Sequence, residues 1–266
     1  LVSTVTDVTW LNIETEGQVR WLTIDRPDRK NAIPSDGWPL LAEAFIDFEN
    51  GDDRVLVITG AAGEFCAGAD LDLTRFGGAM SVADGHRRMK VVERAATALH
   101  RITKPTIAAV DGVAVGAGMN MALGCDVVIA TDRARFSEIF VRRGLTVDFG
   151  GTWLLPRIVG LQRAKELALS GRMVNADEAL RLGLVLDVVA PDALADRVRE
   201  MAASFLAGAP VAQKFAKQGI DASFHSSFAE ATSWEGQSQA ILSGTEDVVE
   251  GVTAFLEKRD PNWKGR

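Results

Sequence analysis

The sequence predicts an α/β fold that ends in helices. Three observations carry this. Apolar strand-like runs alternate with helical patterns up to about residue 160, and from residue 161 the patterns are mainly helical. The 266 residues, 47% hydrophobic and 24% charged, are enough to bury a sizeable core.

The elements follow in order. VTWLNIET and VRWLTIDR read as strands joined in a hairpin around Glu16-Gly17, and RVLVITG is a third strand. Between the second and third lies a helical pattern, WPLLAEAFIDFEN, ending near Gly51. EFCAGADLDL follows, then the polar stretch TRFGGAMSVADG. A long helical pattern, HRRMKVVERAATALHRIT, stops before Lys104-Pro105, as a proline boundary predicts. TIAAVDGVAV reads as one apolar strand, GAGMNMALGC as a short helix and DVVIAT as another strand. After 161 come LQRAKELALSG, ADEALRLG and DALADRVREMAASFLAG, with a short strand LVLDVVA. Helical patterns around 210–221, 226–242 and 246–258 complete the chain, with no internal repeat or low-complexity segment.

Composition narrows the function. A formal net charge of -7 is a poor electrostatic match for nucleic acid or an anionic membrane. No apolar run reaches the ~20 residues of a membrane span. The first ten residues, LVSTVTDVTW, lack the basic region and apolar core of a signal peptide, and with no initiator Met a trimmed or processed chain is expected. Cys66 and Cys125 form no CxxC and read as small buried hydrophobes in a reducing cytoplasm. His86, His100 and His225 lie far apart, without metal-ligand spacing, and read as surface or packing residues. Of the three, His86 lies in a polar, Gly-containing stretch of the kind that borders a site.

The stretch VAVGAGMNMALG, 113–124, nearly reproduces a dinucleotide fingerprint. The GxGxxG frame fails at Met121, and the stretch lies mid-chain rather than in a first βαβ unit. A phosphate loop and a GxSxG elbow are also missing. A helix N-terminus also stabilises other developing negative charge, because its first N–H groups have no partner within the helix. Small residues there let a substrate carbonyl approach the backbone, so the loop reads as half of an oxyanion hole or as tight glycine packing. EFCAGADL, with Ala67, Gly68 and Ala69 before Asp70, is a second backbone-exposing turn and a candidate for the other half.

Taken together, these runs resemble the crotonase superfamily, the enoyl-CoA hydratase/isomerase family. RPDRKNAI (26–33), FCAGADL (65–71), KPTIAAVDGVAVGAG (104–118), ALGCDVVIA (122–130), GGTWLLPRIVG (150–160) and AFLEKRDPNW (254–263) fit in order and at family spacing. The resemblance implies a crotonase (ClpP-like) spiral of ββα units over residues 1–195, holding the CoA and acyl site. It implies a helical oligomerisation region over 196–266 that builds a homotrimer or a hexamer of paired trimers. The implied substrate is an acyl-CoA thioester, with coenzyme A entering as part of it and no metal or redox cofactor. The N–H groups of Ala67 and Ala117 are then expected to grip the thioester oxygen, with Gly116 and Gly118 shaping that turn. Arg29 and Ala32 match positions near the nucleotide and pantetheine, Ala69, Asp70 and Leu71 the wall around the adenine, and Lys258 a basic position near the CoA phosphates.

The departures from the family pattern decide the chemistry. Hydratases of this family hold water with two glutamates. At the first position this chain has Asn120, and at the second, counted from Cys125 without a gap, Phe140. Neither an amide nor a phenyl ring is a general base. Glu138 substitutes only if its loop is shifted. Asp148 stands where hydratases carry a small residue and where several of the family's isomerases carry a carboxylate. One base is enough to move a proton from C2 to C4 across one face of a dienolate. Phe140, Phe149 and Trp153 are expected to keep its surroundings dry and raise its pKa. Asn120 is expected to line the pocket and Asp126 to be structural. The polar stretch 74–87 is expected to shape the acyl pocket. The leading expectation is an enoyl-CoA isomerase. The alternatives are a hydratase (a lyase of fatty-acid degradation) using Asp148 or Glu138, a thioester hydrolase or dehalogenase, and a non-catalytic acyl-CoA-binding subunit.

Overall fold

The computed structural model describes residues 10–71 and 81–266. Six strands form the main sheet: β1 (Leu11–Glu16), β2 (Val19–Ile24), β3 (Val55–Gly60), β4 (Thr106–Val110), β6 (Val127–Thr131) and β9 (Asp187–Val189), side by side in that order. β1 and β2 are antiparallel, and the expected hairpin turns at Gly17, whose φ of 63° suits glycine. The other neighbours in this sheet are parallel, with α1 (Gly37–Asn50) and α2 (Val82–His100) as the first two crossover helices. A smaller sheet holds β5 (Val113–Val115), β7 (Arg135–Ser137) and β8 (Val174–Asn175).

TIAAVDGVAV is therefore not one strand. It breaks at Asp111-Gly112, where Gly112 has φ of 59°, and its halves enter different sheets. A Cβ on Gly112 would stand 2.3 Å from the carbonyl oxygen of Gly63, so the turn needs glycine. The same step recurs at β6 and β7: a strand of the main sheet, a turn, then a strand of the small sheet. Each pair leads towards a helix: α3 (Ala117–Leu123) after β5, and α4 (Gly151–Val159) after β7 and a 3-10 turn, Ile139–Arg143. This repetition is the spiral of ββα units.

Side chains on the central strands alternate between two cores. Leu56, Ile58, Ala108, Val110, Val128 and Ala130 belong to the larger core with α1, α2 and α3. Val55, Val57, Ile107, Ala109 and Ile129 point the other way and pack on Leu194, Val198 and Ala202 of α7 (Leu194–Leu206). A sheet buried on both faces explains why these strands read as continuous apolar runs. The boundary expected at 195/196 falls at the start of α7, a helix that packs on the sheet.

α5 (Leu161–Ser170) and α6 (Ala176–Leu182) lie between α4 and α7, and α8 (Pro210–Ser223), α9 (Phe228–Leu242) and α10 (Glu246–Glu257) follow it. α9 begins at a capping box between Ser227 and Glu230. α2 begins four residues earlier than the pattern starting at His86, because Ser81 caps it by accepting from the N–H of Asp84. No helix among the described residues is long and apolar enough to cross a membrane. Residues 74–80 of the polar stretch, and the first two of VTWLNIET, lie outside the described residues.

Candidate active site

A cavity of about 480 Å³ opens where the segment 66–71, the start of α3, the 3-10 turn after β7 and the loop before α4 converge. Ile33, Trp38, Met89, Val92 and Phe140 give it apolar walls, and Asp148 borders it.

The segment 66–70 is laced on both sides. Cys66 exchanges backbone bonds with β5, its N–H donating to Val113 O at 2.8 Å and its carbonyl accepting from Val115 N at 3.0 Å. On the other side, Ala67 N–H donates to Lys30 O (3.0 Å), Ile33 N–H to Gly68 O (2.8 Å) and Asp70 N–H to Ile33 O (2.8 Å). This corrects the expected donor. The amide of Ala67 is committed to Lys30, whereas no acceptor among the described residues takes the N–H of Ala69. Residues two apart in a regular strand would present their amides to the same side, but Gly68 between them has φ of 88°, so this turn and its pairing decide between the two alanines. Ala117, the first residue of α3, is the other small-residue amide on the wall, with no partner within its own helix. A Cβ on Gly68 would stand 3.4 Å from Ala117 N, which measures how closely the two turns approach.

The loop 26–33 supports this lacing. Arg26 N–H donates to Asn31 Oδ1 (2.8 Å), and Asn31 Nδ2 donates to the carbonyls of Ala61 (2.9 Å) and Glu64 (2.6 Å). Lys30 and Asn31 both hold φ near 50° (48° and 57°), a strained conformation stabilised by these bonds. Arg26 also donates to Ala32 O (2.6 Å) and pairs with Asp70 at 2.9 Å.

The sequence candidates divide. Ala67, Ala69, Asp70, Leu71, Gly116, Ala117, Phe140 and Asp148 come together on the cavity wall, with Leu71 exposed. Arg29, exposed and 3.9 Å from Asp28, lies outside the wall, as do buried Ala32 and Lys258, the residue that ends α10. Gly118 packs on Cys66, where a Cβ would stand 2.2 Å from the carbonyl oxygen. Asp126 pins β4 to α8, accepting from Thr106 N–H (2.7 Å) and hydroxyl (2.9 Å) and from Lys217 (2.8 Å). Both thiols are buried, which pushes them up to about 12. His86 is exposed on α2, and His100 stacks edge-on against Trp153 at 5.1 Å.

Asn120 does not line this cavity. It is fully buried behind it, bordering a second cavity of about 480 Å³ with Leu99, Phe149 and Trp153. Its Nδ2 donates to Asp148 O (2.9 Å) and to Glu138 Oε2 (3.3 Å). Phe140 faces the cavity, and Glu138 stands behind it at 1% exposure. Burial raises Asp148 to about 6. Burial raises Glu138 further, to about 8; the Asn120 bond opposes this and the charge of Asp148 adds to it. Phe149 packs on Trp38 with ring centroids 5.7 Å apart, a contact between α1 and the Asp148 loop that no local sequence pattern reveals.

A family model described as enoyl-CoA hydratase/isomerase matches residues 14–266. The chain is 37% identical over 249 residues to a short-chain-enoyl-CoA hydratase of Clostridium acetobutylicum, covering 93% of this chain and 94% of that one. It is 36% identical over 253 residues to the 1,2-epoxyphenylacetyl-CoA isomerase of Escherichia coli, covering 94% and 97%. The crystal structure of an enoyl-CoA hydratase from Bacillus anthracis superposes with a TM-score of 0.91 at 29% identity, covering 97% of this chain and all of that one.

Proposed function

The chain belongs to the enoyl-CoA hydratase/isomerase family, and from that premise we propose that it is an enoyl-CoA isomerase in which Asp148 is the single proton carrier. The observation that carries this reading is the state of the carboxylates on the cavity wall. Asp70 is paired with Arg26, whereas Asp148 has one carboxylate oxygen, Oδ1, buried without a partner among the described residues.

In the proposed reaction the thioester oxygen of a 3-enoyl-CoA accepts from the N–H groups of Ala69 and Ala117. These donors meet the negative charge where it develops. Asp148 takes a proton from C2, the electrons delocalise through a dienolate onto the thioester oxygen, and the same proton returns at C4 to give the 2-enoyl-CoA. The reaction is redox-neutral and coenzyme A enters as part of the substrate. A proton affinity near neutrality suits a group that must accept and then release a proton. The apolar walls suit an aliphatic or aryl acyl group. The C-terminal helices are proposed to build a homotrimer, alone or paired into a hexamer.

Hydration is the second reading. It is favoured by Glu138, a second carboxyl close enough to feel the charge of Asp148, and by the name of the Clostridium relative. Paired assays separate the two. One offers 3-enoyl-CoA and follows conjugated product; the other offers 2-enoyl-CoA and follows its loss by hydration. Isomerisation that falls by ~10²-fold or more in Asp148→Asn, the scale of losing a general base, is the expected result. Strong hydration that survives the substitution sinks the isomerase reading.

A further inference from the structure

The mechanism above leaves unused Glu138, the buried acid behind the base. We propose that Glu138 is a positioning residue for Asp148: as a neutral acid it ties Asn120 to the Asp148 loop, and its ionisation shuts the reaction off. The inference rests on Asp148 being the base.

The argument begins with a shortage of donors. Behind the cavity three buried oxygens have no hydrogen-bond partner among the described residues: Asn120 Oδ1, Glu138 Oε1 and Asp148 Oδ1. They belong to three residues joined through the Asn120 amide, whose Nδ2 must face the backbone carbonyl of Asp148, an acceptor only. That amide has spent both hydrogens, one on Asp148 O and one on Glu138 Oε2. With both acids ionised the cluster holds acceptors and no further donor, an expensive arrangement for buried groups. A proton on Glu138 turns Oε1 into the missing donor. It also keeps a second negative charge from standing behind the base, where it would hold the proton on Asp148 and slow its return to C4.

Among the described residues no cation acts on that charge. The titratable group facing Glu138 is Asp148, from the loop before α4, and α3 presents only Asn120. On its own turn, Arg142 donates to Ser170 O (3.0 Å) and Arg143 to Arg142 O (3.3 Å). On α5, which packs against this turn, Lys165 is exposed and Glu166 pairs with Arg172 at 2.6 Å. Arg172 in turn pairs with Glu178 of α6 at 2.7 Å.

The test is the pH profile of kcat/KM for isomerisation in wild type, Glu138→Gln and Asp148→Asn. Wild type is expected to rise through about pH 6 as Asp148 ionises and to fall through about pH 8 as Glu138 ionises. The fall should be about tenfold per pH unit beyond that point, the slope of a single proton. Glutamine copies the neutral acid, with one acceptor for Asn120 Nδ2 and donors for the unpartnered oxygens. Glu138→Gln should therefore keep the acid limb and lose the alkaline one, which a merely structural role would not move. An alkaline limb unchanged in Glu138→Gln overturns the proposal and leaves the assignment of Asp148 standing, provided Asp148→Asn is inactive. Isomerisation that persists in Asp148→Asn overturns the base assignment, and this inference with it. A measurement on wild type guards against misfolding of the variant: the infrared stretch of a protonated carboxyl should be present at pH 7 and fade through about pH 8. Its absence at pH 7 also overturns the proposal.

Discussion

Three aspartates show how surroundings assign a role to one residue type. Asp70 is held by Arg26 and Asp126 by Thr106 and Lys217, whereas burial raises Asp148 to about 6. The buried glutamate has a thermodynamic signature as well. Folded Glu138 keeps its proton up to about pH 8, while the unfolded chain releases it near the ordinary 4.5. Unfolding therefore releases a proton between these values, so this group makes the fold less stable as pH rises through that window. Glutamine does not titrate. Glu138→Gln should gain stability relative to wild type from pH 5 to pH 8, by about 1.4 kcal/mol for each pH unit inside the window. Thermal melts at the two pH values check this, and a constant difference between the proteins rules it out. Asp148 and Asn120 were legible as departures from a family pattern at fixed spacing. The bond between Asn120 and Glu138 was not, because 18 residues and a strand change separate them. Nor was the choice of Ala69 over Ala67, since strand pairing and not residue identity decides which amide is free.

At the scale of elements, the site depends on how closely α3 approaches the laced segment 66–70. Gly118 sets that distance. An added Cβ would stand 2.2 Å from Cys66 O and 2.9 Å from Cys66 C, both backbone atoms that cannot swing aside. Gly118→Ala should push α3 away and separate the amides of Ala69 and Ala117. The expected cost is about 1–3 kcal/mol of stability, the scale of overpacking, with a larger fractional loss in kcat than in substrate affinity. Gly236→Ala, inside α9 with nothing within 4 Å of its added Cβ, is the control. It should be neutral or stabilising by about 0.5–1 kcal/mol. Urea melts and steady-state kinetics on both variants measure these effects, and a fully active Gly118→Ala refutes the packing argument. Most elements could be read from apolar periodicity, but α4 and the short strands β7 and β8 could not, and β4 was not separated from β5. α4 is preceded by Gly150, which offers no side-chain cap, and carries Pro156 inside, so its usual signals are missing. β4 and β5 merged into one apolar run because both are buried, and only the φ of Gly112 separates them.

For the whole molecule, the C-terminal helices carry the remaining question. α10 has its faces reversed for a lone chain. Asp247 and Ala254 are buried, and Asp247 accepts from the N–H groups of Lys264 (2.6 Å) and Gly265 (2.9 Å) in the C-terminal tail. Outward stand Val249, Val252, Phe255 and Leu256, the last two 81% and 73% exposed. These residues recur at helical spacing, so they form one stripe. Phe228 and Ile241 of α9 are also exposed apolar residues. A stripe of this kind marks an interface. Fully burying one such side chain contributes about 1.5–3 kcal/mol. Four per chain contribute about 6–12 kcal/mol, comparable to an association cost of about 4–15 kcal/mol, with a net charge of -7 on each copy opposing assembly. Closed symmetry lets every copy cover the same stripe. With the proposed trimer, alone or paired, the 28.6 kDa chain should sediment at three or six times its mass. The double substitution Phe255→Asp, Leu256→Asp should return it toward a monomer with its circular dichroism retained, because α7 and the sheet share a core that α10 does not enter. A wild-type chain that sediments as a monomer at micromolar concentration would leave the stripe without the partner argued for it. A double variant that stays assembled would move the interface to another face.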